Sequence, residues 1–490
     1  MLFSLLVLSA CTTDSNKSSG AKNFSEDFLW GTATAGFQVD MGCPSWTEIK
    51  CTDSASDWYQ WVTTPEIIDE YNLYVSGEAI SNGPGMWELF ESDIDQMAAD
   101  GMSAYRMSIE WSRIFPNANA ELANTVADLE QFANAEAVER YHAFFVAMKQ
   151  ANITPLVTIN HYTLPLWVHN GVDCHFDPDG CVADGWVNEE RITRLIALYS
   201  GYLASEFGRY VDRWVTLNEP FATTLSGYGF PGEDRSSPPG LSLDIPRVSL
   251  VMLNQIIGHA KMFHAVKEYD LIDADGDGST AEVGIVMNMT AIEPQDETRE
   301  DDVNAAANMD YLYHRLYLDA MTSGAWDGDL DGTPEDTRSE IANTLDFIGI
   351  NYYNLVKVSG FSLSPFEAIP LLTFYPEFSW APYPEGIVEV IQSASSYGLP
   401  IYITENGTPF VEDRGSEVLE GHLQGIEEAL AQDIDVRGYF YWSYVDNYEW
   451  NHGFDLRFGL YELEPNTKER IPRPVRDTFS DIISRGRVVE

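Results

Sequence analysis

Basic residues are scarce. Lys and Arg total 28 against 77 Asp and Glu in 490 residues, a formal net charge of −49. An acidic surface of this kind repels phosphate backbones, which excludes nucleic acid as a partner; it suits a chain solvated in salty surroundings. Cysteines number only five, and none of their spacings is the C-x₂₋₄-C of a zinc site. Apolar stretches long enough to span a bilayer are missing too. What is plentiful is core material: 44% of residues are hydrophobic and 13% aromatic, enough for a large packed interior and too much for disorder.

The N-terminus reads "MLFSLLVLSACTTDSNKSSG". An apolar run from Leu2 to Leu8, without a preceding Lys or Arg, leads into Leu8-Ser9-Ala10-Cys11, which resembles a bacterial lipobox. That resemblance implies cleavage before Cys11, lipidation of its thiol, and export to the periplasmic or cell-surface side of a membrane. Residues 1–10 would be the signal peptide, and 11–23 a flexible tether. The other four cysteines allow three pairings, and spacing favours two local bridges, Cys43–Cys51 and Cys174–Cys181. An exported chain meets the oxidising conditions that such bridges need.

From Phe28 onward, short β-rich runs alternate with amphipathic helical stretches. Strands are expected at 29–37, 103–111, 154–161, 212–219, 282–289, 346–353, 401–407 and 436–446. Between them lie helical patterns such as "AEAVERYHAFFVAMKQ", where Val138, Tyr141, His142, Phe145 and Val146 share one face. His142 and His259 fall on such apolar faces and are assigned to packing. Strand then helix, eight times over, predicts one closed (β/α)₈ TIM barrel spanning 24–490. Residues 41–84 and 354–380 lack periodicity and are expected as rim loops.

Two of those strands end alike. "WVTLNEP" closes the fourth on Glu219, and "PIYITENG" closes the seventh on Glu405, each with an amide alongside. Barrel chemistry sits at the C-terminal ends of strands, so both carboxylates should face one mouth. Paired carboxylates suit glycoside cleavage: one protonates the leaving oxygen, the other attacks the anomeric carbon or activates water.

The contexts of these two residues extend the likeness. Thr-Leu-Asn-Glu-Pro (216–220) and Ile-Thr-Glu-Asn-Gly (403–407) resemble the acid/base and nucleophile motifs of glycoside hydrolase family 1, the β-glucosidase and β-galactosidase family. "FLWGTATAGFQ", "YRMSIEWSRIFP", "NYY" (351–353) and "YWSYVDNYEWNHGFDLRFGLY" match further signatures in order. "SNGPGMW" and "NHYTLPLW" look closest to the branch with archaeal β-glycosidases. The resemblance implies a retaining exo-β-glycosidase that removes terminal glucosyl, galactosyl or fucosyl residues from short oligosaccharides, with no cofactor. Glu405 would form a covalent glycosyl-enzyme, and Glu219 would act first as acid and then as base. Such a pair stands about 5–5.5 Å apart. Arg106 would lower the pKa of Glu405, Tyr353 would donate to it, and Asn218 would hold the sugar 2-hydroxyl.

Substrate-binding residues implied in the same way are Gln38, His161, Asn351, Glu449 and Trp450, with Trp442 as platform, Trp380 at the entrance and Phe458 beside the hydroxymethyl group. A carboxylate at 449 repels phosphate, so unphosphorylated sugars are expected. The chain departs from the pattern at Asp40-Met41-Gly42, where Glu-Gly is usual, and at Tyr162, where Trp or Phe is common. A transglycosylase would carry the same residues. A sugar-binding relic would be expected to lose one of the two glutamates, and this chain keeps both.

Two acidic loops complete the inventory. "DADGDG" places Asp273, Asp275 and Asp277 at alternate positions, and "DGDLDG" does so with Asp327, Asp329 and Asp331. Each resembles the start of a calcium loop without its twelfth-position Glu. Any calcium there would be structural, on the face away from the mouth.

Overall fold

The computed structural model describes residues 24–361 and 368–488. The signal-like segment and Cys11 lie outside the described residues. Eight strands close a parallel barrel: β1 (Leu29–Ala33), β2 (Ala104–Ser108), β3 (Thr154–Asn160), β4 (Arg213–Asn218), β5 (Glu282–Asn288), β6 (Phe347–Asn351), β7 (Ile401–Asn406) and β8 (Val436–Trp442). Each pairs with its sequence neighbour, and β1 closes on β8. Every predicted strand is present, shortened mainly at its C-terminal end, where the chain turns into the rim.

A helix follows each strand: α1 (Met86–Ala99), α2 (Ala135–Gln150), α3 (Glu189–Phe207), α4 (Ile245–Tyr269), α5 (Leu316–Ser323), α6 (Gly386–Ser395), α7 (Val411–Ala431) and α8 (Pro474–Arg485). Asn134, Asn188 and Asp244 cap α2, α3 and α4 with side-chain oxygens, satisfying amides that the first turn leaves unpaired. The buried face of α2 is rotated from the one expected. Tyr141 and Phe145 are inside, joined by Phe144 and Met148, while Val146 is exposed. Phe144 stacks on Phe90 of α1 at 3.9 Å, and that contact selects the face. His142 reaches Glu206 at 2.7 Å from a half-buried position. His259 packs as assigned, fully buried between Thr216 Oγ1 and the Thr344 carbonyl.

The rim is more ordered than loops. Residues 41–84 carry short helices and bury Trp58, Trp61, Ile67 and Leu73. Within 354–380, Leu355–Gly360 and Phe374–Glu377 form a three-stranded sheet with Ala291–Pro294. Val356, Val358 and Phe374 form its buried side. Both expected disulfides are made, Cys43–Cys51 and Cys174–Cys181. Among the described residues, no helix is long and apolar enough to cross a membrane.

Candidate active site

The two strand-end motifs have distinct local reasons. At the end of β4 the chain turns sharply: Glu219 takes φ 45°, ψ 58°, a left-handed conformation that few non-glycine residues adopt. Its amide still donates to Val286 O on β5 at 2.8 Å. Pro220 then starts a helix, where its missing N–H costs nothing. The turn leaves the Glu219 side chain over the barrel mouth. On β7 the amide neighbour does structural work: Asn406 Nδ2 donates to Tyr352 O at 2.6 Å and its Oδ1 accepts from Tyr439 at 2.8 Å.

Glu219 and Glu405 line one cavity. They are held differently. Arg106 Nη1 donates to Glu405 Oε1 at 2.6 Å, and the Tyr353 hydroxyl donates to Oε2 at 2.7 Å. Glu219 has neutral donors instead: Asn351 Nδ2 on Oε1 at 2.8 Å and the Tyr162 hydroxyl on Oε2. Burial pushes the Glu405 carboxyl up to about 7; Arg106 opposes, the nearby Glu219 charge adds to the rise, and the hydrogen bonds from Tyr353 and Arg106 oppose it again. Arg106 lowers the Glu405 pKa, as expected, but desolvation outweighs it. A carboxylate beside a cation can attack an electrophilic carbon, and a second one held by neutral donors can give and take a proton.

Beneath the pair, one hydrogen-bond pattern fixes three side-chain orientations. Arg106 Nη2 donates to Asn218 Oδ1 at 2.6 Å, which leaves Asn218 Nδ2 to donate to His161 Nε2 at 3.1 Å. His161 Nε2 is thus an acceptor, and its proton sits on Nδ1. Burial, with Arg106 and Arg235 nearby, holds the ring's pKa well below the usual value. Its Nδ1 is buried without a partner among the described residues, as is Gln38 Oε1. Buried polar atoms are seldom left so, and these two supply one donor and one acceptor suited to sugar hydroxyls. Gln38 Nε2 is itself tied to Asn447, the Tyr448 carbonyl and Glu449, at 2.9–3.0 Å. Burial raises Glu449 to about 7, against Arg235 and the bond from Gln38.

Aromatic rings wall the cavity. Trp442 and Trp450 each stack near His161 at 6.0 Å, while Trp380, Tyr353 and Phe458 meet edge to face at 5.4–6.0 Å. Glu219, Glu405, Tyr353, His161, Trp380, Trp442, Glu449, Trp450 and Phe458 line it together, as expected from the sequence. Arg106, Asn218, Asn351 and Gln38 reach these residues from below and behind. Two lining residues lay outside the expected set, Tyr162 and Arg235. Tyr162 had a signal, its departure from Trp or Phe. Arg235 had only its place as a cation in the acidic stretch "GEDRSS".

The acidic loops are corrected in membership. The carboxylates that converge are Asp212, Asp273 and Asp275 in one place, and Asp327, Asp329 and Glu335 in the other. Arg213 pairs with Asp275 at 2.9 Å and with Asp277 at 3.6 Å, and Asp331 accepts from Thr333 N at 2.8 Å. Loop amides already occupy much of the rest: Gly276 and Gly278 donate to Asp273, and Ala274 and Asp275 donate to Asp212.

A parallel barrel with two differently held carboxylates at its mouth defines the class of β-glycoside hydrolases that work through two acids. Sequence comparison fixes the family. The model described as Glycosyl hydrolase family 1 matches residues 20–487, and the chain belongs to that family. It is 32% identical to a Pyrococcus woesei protein named "Beta-galactosidase", over 95% of this chain and 98% of that one. It is 30% identical to a Thermotoga neapolitana "1,4-beta-D-glucan glucohydrolase", over 95% and 99%. Among solved structures, the β-glycosidase of Thermosphaera aggregans superposes with a TM-score of 0.81 at 27% identity, covering 96% of this chain and 98% of that one.

Proposed function

We propose that this retaining β-glycosidase removes terminal, unphosphorylated β-D-glucosyl or β-D-galactosyl residues from short oligosaccharides, with Glu405 as nucleophile and Glu219 as acid/base. In the first step Glu219 gives its proton to the glycosidic oxygen as the C–O bond breaks, and Glu405 bonds to the anomeric carbon. In the second, Glu219 takes a proton from water, which displaces Glu405 and restores the original configuration. One observation supports this assignment: of the two strand-end carboxylates, Glu405 is paired with a cation, Arg106 at 2.6 Å, while among the described residues Glu219 forms no ion pair. Gln38, His161 and Glu449 would bind the sugar hydroxyls over Trp442. All of this chemistry uses protein groups alone.

The test is nitrophenol release from β-glucoside, β-galactoside, β-fucoside and β-mannoside analogues. Glu405→Gln should lose several orders of magnitude on all of them, and azide should rescue Glu405→Gly. Activity that survives Glu405→Gln would remove the nucleophile assignment.

We also propose that the chain is exported, acylated at Cys11 and membrane-tethered, with 24–490 as its catalytic unit. The lipobox-like Leu8–Cys11 supports this, and so do two disulfides, which persist in oxidising compartments. Cys11→Ser should abolish partition into detergent; unchanged partition would refute the tether.

A further inference from the structure

The Glu219 carboxyl is gripped at both oxygens, and the second grip comes from a residue outside the expected catalytic set. Asn351 donates to Oε1 at 2.8 Å, and the Tyr162 hydroxyl donates to Oε2. Tyr162 directly follows His161 past the end of β3, at φ 72°. Its ring lies 4.9 Å from Trp450 and 5.1 Å from His161. Behind the hydroxyl stands Arg235, whose Nη1 donates to the Tyr162 oxygen at 3.4 Å. With a guanidinium on its oxygen, the hydroxyl's own proton is directed at Glu219. Burial and the Glu219 charge keep that phenol protonated, its pKa raised well above the usual value.

This geometry bears on a particular moment in the reaction. When Glu219 releases its proton to the leaving oxygen, a new carboxylate appears in a cavity already lined by Glu405 and Glu449. A hydrogen bond donated to a charged acceptor is strongest when that charge exists. Preorganised donors aimed at developing charge lower the barrier. We propose that Tyr162, itself oriented by Arg235, is a positioning residue for Glu219: it stabilises the carboxylate formed as the leaving group departs, and so favours substrates whose leaving groups need protonation. The proposal rests on the acid/base role assigned to Glu219. Atoms balance without any addition: the proton moves from Glu219 to the glycosidic oxygen, which keeps the bonding pair, and Tyr162 retains its own proton throughout.

Ring packing alone would also explain a tyrosine here, so the test keeps the ring. Tyr162→Phe should lower kcat/KM for methyl β-glucoside or cellobiose by about 10- to 100-fold, the worth of a hydrogen bond to a charged group. For 2,4-dinitrophenyl β-glucoside, whose departure needs no proton, the fall should be less than about threefold by the same reasoning. Arg235→Gln should shift the ratio in the same direction by a smaller factor, and it serves should Tyr162→Phe fold poorly. In a Glu219→Ala background, adding Tyr162→Phe should change neither substrate by more than about twofold, because residues that act as a unit are not additive. An equal loss on both substrates, or an undiminished loss without Glu219, would overturn the proposal. If Glu219→Ala itself fails to discriminate between the leaving groups, the acid/base assignment falls. If it discriminates and neither Tyr162→Phe nor Arg235→Gln does, only the positioning role falls.

Discussion

The Asn351 side chain donates its amide to Glu219 Oε1 at 2.8 Å, while its Oδ1 accepts from Thr404, the neighbour of Glu405, at 2.8 Å. One amide at the end of β6 therefore links the Glu219 carboxylate to the side chain beside Glu405 on β7. Arg106 approaches the same Oδ1 at 3.5 Å, which fixes the amide's orientation. Asn351→Ala should lose a bond to a charged group and the link between strands together, lowering kcat/KM by about 10- to 100-fold. Asn351→Asp should be worse, because it places another carboxylate against Glu219. Steady-state kinetics of the two variants, ranked against wild type, check this.

A second expectation concerns pH. The nucleophile must be ionised, and Glu405 is held up at about 7, so the acid limb of kcat/KM should fall near pH 7 and not near the ordinary glutamate value. Arg106→Met removes the opposing cation and should move that limb to higher pH while lowering the plateau. The stability sign is the reverse of the usual acidic case. A carboxyl whose folded pKa lies above its unfolded value binds protons more tightly when folded. Its folded state therefore weakens as pH rises from about 4.5 to about 7, after which the cost is constant. Glu405→Gln lacks that cost, so its Tm should exceed wild type clearly at pH 8 and hardly at all at pH 4. Melting curves at the two pH values decide it.

Away from the cavity, Asp446 accepts both Nη groups of Arg473, each at 2.8 Å, and the Gly459 amide at 3.0 Å. Both side chains are buried, and Asp446 lies on the segment that runs from Trp442 to Glu449. Asp446→Ala leaves the guanidinium with Glu412, at 2.6 Å on Nε, as its remaining acidic partner, so the loss should fall below the about 3–5 kcal/mol of a fully unpaired buried charge. Denaturant midpoints measure that loss. Replacing both residues with apolar ones should cost less than the single change.

The barrel and its acids were legible because their signals are local. A strand's run, a helix's period and a carboxylate at a strand end can each be read within about ten residues, and eight repeats leave little choice of topology. What escaped was set by contacts distant in sequence. The α2 face turned because Phe144 found Phe90, some 54 positions away. Val356 and Val358 became strand residues because Ala291–Pro294 and Phe374–Glu377 offered edges on either side. Arg235 reaches Tyr162 across 73 positions, with no period to betray it. The third member of the first acidic group is Asp212, which comes from outside the loop. Burial was likewise invisible: the motif around Arg106 indicated the sign of its effect on Glu405, but not the larger opposing cost of removing the carboxyl from water.

The most specific expectation joins the sugar site to its neighbouring cation. Glu449 receives Gln38 Nε2 at 3.0 Å on Oε2, and its Oε1 stands 3.9 Å from Arg235 Nη2. A carboxylate here suits hydroxyl groups and opposes a phosphate, since like charges brought together across a binding surface cost several kcal/mol. Glu449→Ser should remove that repulsion and leave Arg235 without its acidic neighbour, facing the vacated volume. Hydrolysis of the plain β-glucoside should fall by about 10- to 100-fold through loss of a charged hydrogen bond. The 6-phospho-β-glucoside should lose far less or gain, so the ratio of the two kcat/KM values should move toward the phosphorylated substrate by at least about tenfold. Glu449→Ser combined with Arg235→Gln should return the ratio most of the way to wild type, because the attraction is then gone as well as the repulsion. A ratio that stays fixed in Glu449→Ser would mean that sugar charge is read elsewhere in the cavity.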